Sequence, residues 1–217
     1  MCGFDMNANR GRPVDSDKQQ EQKVKLLAAA MTLLQEKSYN SITIRELGKA
    51  AGVNSALVGY YFDNKEGLFT ALLDEMAKMH FSRMQNIMHS DDPIREFIHI
   101  MLAMLNENSG LARIMHDEVL SKDSALKKLL IERFPKRMAS FLPMLITQQI
   151  AAGRLSENIN AKYAAFSLIG LIVMPFVGAP IREMAWQISE DELKRPEWAD
   201  NIYRLFLSGY GKRGENV

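Results

Sequence analysis

Residues 42–69 read ITIRELGKAAGVNSALVGYYFDNKEGLF, and their punctuation decides the fold. Thr43 stands where a helix begins, with Glu46 three residues later, the pairing of a capping box. Ile44, Leu47 and Ala51 recur on one apolar face, while Arg45, Glu46 and Lys49 point away from it. Gly48 lowers helix propensity but lets another backbone approach closely. Gly52 suits a left-handed position at the helix end, and Asn54 or Ser55 caps a second helix in which Val58 and Phe62 pair at i,i+4. A third helix starts after Phe62. Two short helices around a four-residue turn make the helix-turn-helix pattern. Its second helix enters the DNA major groove. An ordinary helical hairpin shares the same periodicity.

Working outward, residues 17–36 carry Val24, Leu27, Ala28, Met31 and Leu34 at helical spacing, with Asp15, Ser16 or Asp17 as the cap. Tyr39 and Ile42 close a small three-helix core. Residues 15–63 are therefore expected to be a DNA-binding head, and residues 1–14 a flexible basic arm. In that arm Arg10-Gly11-Arg12-Pro13 has the chemistry to lie along a narrow minor groove. Residues 64–217 form the expected second domain. There the pattern predicts a helix over 65–88, a helix over 94–105 that is apolar on nearly every side, and a short helix over 111–120. A long segment over 123–153, kinked at Pro135 and Pro143, follows. A helix over 160–175, an irregular connection over 176–196 with room for a short helix around 181–188, and a last helix over 197–208 complete the chain. No strand-like alternation persists, so the fold class is all-α: a three-helix head on a larger C-terminal helical bundle.

A chain of 217 residues with 47% hydrophobic composition can bury a sizeable core. Its formal charge of +1 argues against a wholesale coater of nucleic acid. Cys2 is the single cysteine, so a disulfide framework is excluded and a cytoplasmic setting is expected. The strongest apolar run, 164–177, is shorter than a bilayer span and contains Gly170 and Pro175. His80, His89, His99 and His116 show no recognised metal spacing, and no nucleophile elbow or phosphate-binding glycine loop occurs. Neither an enzyme nor a metal or cofactor is expected.

The stretch resembles the TetR/AcrR family of bacterial transcriptional repressors. The resemblance rests on Thr43, Leu47, Ala51-Gly52-Val53, Tyr60-Tyr61-Phe62 and Asn64-Lys65-Glu66-Gly67-Leu68-Phe69, about the first third of the chain. Gly48, Gly59 and Tyr61 depart from the residues usual in that family. The resemblance implies a sequence-specific regulator that binds a near-palindromic double-stranded DNA operator as a homodimer and is released by a small effector. It places Ser55, Ala56, Leu57 and Tyr60 against base edges and Thr43, Arg45, Tyr61 and Lys65 against phosphates. Asn54 either reads a base or caps the helix. A helical interaction domain that no longer reads DNA is the competing expectation.

The 14 methionines bear on the effector. Thioether chains fill irregular apolar space adaptably, either as plain core or as the wall of a pocket. The pocket expected from the pattern lies between Met101, Met104, Leu105, Met115, Phe134, Met138 and Phe141, for a small, mostly apolar effector. His99, His116, Arg113 and Arg137 are its candidate polar anchors. The dimer is expected through the last two major helices, by Ala164, Phe166, Ser167, Gly170 and Leu171 on the first and Trp198, Ile202, Leu205 and Phe206 on the second.

Overall fold

The structure, a computed structural model, describes residues 16–107, 118 and 126–211. Among them the chain is all-α, with a lone bridge between Leu155 and Gly211. The head is built from α1 (Ser16–Glu36), α2 (Ile44–Ala51) and α3 (Ala56–Phe62), and α4 (Lys65–Arg83) leads out of it. The larger body holds α5 (Pro93–Glu107), α6 (Lys127–Arg133), α7 (Pro135–Ala151) and α8 (Ala161–Val177). It is completed by α9 (Ala179–Trp186), α10 (Glu190–Leu193) and α11 (Pro196–Tyr210). The arm at Arg10-Gly11-Arg12-Pro13, the helix expected over 111–120 and the tail from residue 212 lie outside the described residues.

Local chemistry sets the head. The Thr43 hydroxyl accepts the Glu46 N–H at 3.2 Å, and the Glu46 carboxylate accepts the Thr43 N–H at 2.9 Å, closing the capping box. Gly52 ends α2 in the left-handed region at φ 64°. A Cβ on Gly48 would lie 2.8 Å from Ser55 Cα, so the turn closes only over a bare backbone. Asn64 then caps α4 by accepting the Gly67 N–H at 2.9 Å.

Three elements differ from expectation. α4 stops at Arg83, and a 3-10 turn over Ile87–His89 replaces its last part. The segment over 123–153 breaks rather than kinks at Pro135. That residue has no N–H to continue α6 and instead opens α7, while Pro143 stays inside α7. The connection over 176–196 is more helical than expected: the short helix allowed around 181–188 is α9, and α10 is added after it. Arg182 holds it together by donating to the carbonyls of Pro175 at 2.9 Å and Ile188 at 2.8 Å. A second capping box, Ser189 with Glu192, starts α10. No single described helix is long and apolar enough to cross a membrane.

Two apolar cores result. The first joins Leu26, Leu34, Tyr39, Ile42, Leu47 and Val58 of the head to Leu68, Phe69, Leu72, Leu73 and Met76 of α4. Leu126 and Leu130 reach into the same core from the body. The second gathers α5, α7, α8 and α11 around Phe97, Ile98, Leu145, Leu168 and Phe206. Each such fully buried side chain contributes on the order of 1.5–3 kcal/mol. α4 is common to both cores, since Met84 at its C-cap belongs to the second.

Candidate nucleic-acid interface and ligand cavity

Val58 is fully buried, which orients α3. The outward face then carries Ala56, Gly59 and Tyr60, the last 70% exposed; Ser55 and Leu57 are half-buried beside it. Asn54 acts as a cap, its Oδ1 accepting the Ala56 N–H at 2.9 Å. Tyr60 meets the Tyr61 ring edge-on at 4.9 Å. The Tyr61 hydroxyl donates to Gln22 of α1 at 2.7 Å, and Lys23 lies 5.5 Å from the same ring. Thr43 and Arg45 are exposed at the start of α2, the Thr43 hydroxyl already engaged by Glu46.

Lys65 departs from the expected phosphate contact. Its ammonium turns inward and donates to the carbonyls of Tyr39 at 2.9 Å and Ile42 at 2.8 Å. Partial burial pushes its pKa down, opposed by the charge of Glu118. Glu118 accepts the Tyr39 N–H at 2.8 Å, so this one loop residue is held by the body and by α4 together. Arg133 with Asp74 and Arg83 with Glu107 tie α4 to α6 and α5.

A cavity of about 550 Å³ opens between α4, α5, α7 and α8. Met101, Met104, Leu105, Phe134 and Met138, five of the residues named from sequence, line it. Phe141 does not: it packs 6.4 Å from Phe97, facing a shallower cleft. Met115 lies outside the described residues. The walls missed from sequence are His80 and Phe81 on α4 and Phe166, Ile169 and Val173 on α8. The expected anchors are not the observed ones. His99 is exposed, Arg137 sits 5.2 Å from the Phe81 ring in the neighbouring cleft, and Arg113 and His116 lie outside the described residues. The buried polar group on the wall is His80, 1% exposed. Its pKa is pushed down by burial first and by Arg83 second, with Glu107 opposing.

Residues 26–72, from the second half of α1 through the first two turns of α4, match the family model of the bacterial regulatory proteins of the tetR family. The matched residues form a regulatory domain of the tetR-family type. Among curated relatives, the nucleoid occlusion factor SlmA of Marinobacter nauticus is 26% identical over 149 residues, covering 66% of this chain and 76% of that protein. The transcriptional regulator EthR of Mycolicibacterium smegmatis is 28% identical over 164 residues, 73% of this chain and 75% of its own length. The fold is also that of the regulator FadR of Bacillus subtilis, solved with stearoyl-CoA, at a TM-score of 0.71 and 19% identity over 86% of this chain and 98% of that one.

In the larger body the residues expected to dimerise divide into two groups. Ala164, Ile202 and Phe206 are buried in the protein's own second core, and Trp198 is half-buried against it. Helical periodicity gave each an apolar face, and that face is turned inward. Phe166, Ser167, Gly170, Leu171 and Leu205 are exposed. Beside them, without any expectation from sequence, stand Tyr163 and Met174 on α8 and Ile181, Met184 and Trp186 on α9, all large and exposed.

Proposed function

We propose that the protein is a sequence-specific DNA-binding repressor that acts as a homodimer in the cytoplasm and is released by a small, mostly apolar effector in the cavity. One observation carries the reading: the same helix serves both ends. Leu68 to Met76 of α4 pack in the head core, and His80 and Phe81 wall the cavity on the next turns. An occupant that shifts α4 therefore moves the recognition helix with it. The stearoyl-CoA bound to FadR supports an apolar ligand in a body of this fold.

In this reading residues 15–63 are the head, residues 1–14 an arm for the minor groove, and residues 64–217 the effector and dimerisation domain. Ala56, Leu57 and Tyr60 meet base edges, with Ser55, and Asn54 caps the helix. Thr43, Arg45 and Tyr61 supply phosphate contacts. One short helix covers few base pairs, so a two-fold pair on a near-palindrome supplies the missing affinity. The paired face is the exposed apolar surface of α8, α9 and Leu205.

The test is reciprocity. Genomic fragments retained by the protein yield the operator, and ligands found by thermal shift are titrated calorimetrically with and without it. A hundredfold weakening of DNA by effector, about 2.7 kcal/mol, requires the same weakening of effector by DNA. Equal ligand affinity in both titrations rules out the coupling.

A further inference from the structure

Among the described residues the cavity wall is carbon almost throughout, and His80 is its buried exception. Neither ring nitrogen of His80 has a hydrogen-bond partner among the described residues, although the side chain is 1% exposed. Phe134 stands 6.2 Å from the ring, across the same cavity. A buried polar group is ordinarily paired, because each unmade bond leaves its desolvation uncompensated. The nearest charged groups are already engaged: Arg83 with Glu107 at 2.6 Å. Lys162, at the exposed start of α8, is the other polar residue on the wall.

Resting on the effector-cavity reading above, we propose that His80 is the polar anchor of this cavity and selects an apolar ligand bearing one uncharged hydroxyl group, aliphatic or phenolic. A neutral imidazole offers one N–H and one bare nitrogen. A hydroxyl complements either, donating to the one or accepting from the other. An ether or carbonyl oxygen only accepts. A carboxylate also only accepts, and brings a charge into a wall of thioethers and rings. Burial lowers the proton affinity of His80, which keeps the ring in the neutral form that suits a hydroxyl. The cavity volume of about 550 Å³ lies within the range of sites that enclose drug-sized ligands. Because His80 is on α4, the anchor bond forms on the helix that carries the head.

The probes are 1-decanol, its methyl ether and decanoate, titrated by calorimetry at pH 7.5 into the full chain and into His80→Leu. In the unaltered protein the alcohol binds more tightly than decanoate. In the variant the alcohol-to-ether affinity ratio falls by about tenfold while the ether still binds. In the unaltered protein, 1-decanol also shifts the ¹⁵N resonances of the His80 ring, a readout independent of the variant's folding. An unchanged alcohol-to-ether ratio in His80→Leu, or decanoate preferred in the unaltered protein, overturns the anchor and its ligand class while the cavity reading stands. Binding of none of the three probes overturns the cavity reading, and the anchor with it.

Discussion

The Lys65 ammonium lies 2.9 Å from the carbonyl oxygen of Tyr39 and 4.1 Å from the centre of its ring. With the second bond to Ile42 it fastens the loop between α1 and α2 to the first turn of α4. Lys65→Ala is expected to lower stability by about 1.5–3 kcal/mol, the range for a bond made by a charged donor. Its effect on the salt slope of DNA binding should be small. Arg45→Ala, exposed at the start of α2, should instead leave stability within about 0.5 kcal/mol and reduce the slope by about one unit. Denaturant titrations and a salt series separate the two. A reduced slope with intact stability in Lys65→Ala would return that residue to the phosphates.

Glu46 is held well below the usual carboxylate range, to about 2. The Lys37 ammonium is the first cause, and the Thr43 N–H and hydroxyl follow. A depressed carboxylate contributes stability above its unfolded pKa, near 4.5, and loses it as pH falls toward 2. The head should therefore become less stable across that window, and Glu46→Gln, which keeps the cap but does not titrate, should flatten this limb. Thr43→Ala removes the other half of the box and should cost about 1 kcal/mol at neutral pH. Circular dichroism melts at a series of pH values check both. Parallel acid limbs in the unaltered protein and Glu46→Gln would reject the assignment.

The head was legible because its signals are local. Thr43 with Glu46, Gly52 and Gly48 each act within a turn or two, and the structure realises all three as read. The body was legible only in outline. Pro135 in a helical pattern marks a kink or a break equally well, and here it ends α6 and opens α7. α11 has one apolar face, but nothing in its spacing says whether that face meets its own core or a partner. Ile202 and Phe206 went inward. Arg182 reaching back to Pro175 and Ile188 made helical a stretch rich in turn residues. One signal for His80 was available. It falls on the apolar stripe of α4 with Leu73, Met76, Ala77 and Met84, where a polar residue needs a reason.

The exposed surface of α8 and α9 sets the expected quaternary state. Tyr163, Leu171 and Met174 on α8 and Ile181, Met184 and Trp186 on α9 are large apolar side chains left exposed on two successive helices. Light scattering at micromolar concentration should give a particle near twice 24.6 kDa. Leu171→Glu, 37% exposed and outside both cores, should yield a monomer of unchanged helicity with weakened operator binding. A monomer before substitution would reject the two-fold arrangement.

His80 makes the same cavity sensitive to pH. Among the described residues, the groups around it are Arg83 on its own helix, Glu107 on α5, Lys162 on α8 and Arg137 of α7, which lies over Phe81. Burial and Arg83 press its pKa below the ordinary value of 6.5, against the pull of Glu107. The unfolded chain therefore takes up a proton first as pH falls through 6.5, and the folded state loses ground until the folded pKa is passed. His80→Leu replaces a buried ring without partners by an apolar side chain, so it should be more stable by about 1 kcal/mol or more at pH 7.5. The gap should then widen below pH 6.5, since only the histidine protein pays to keep its ring uncharged. Urea titrations of both chains between pH 8 and pH 5 measure it. A gap that stays constant across that range would mean His80 is as free to protonate in the fold as in the unfolded chain. A gap that narrows would mean that the fold prefers the charged ring, a result incompatible with an uncharged anchor in an apolar wall.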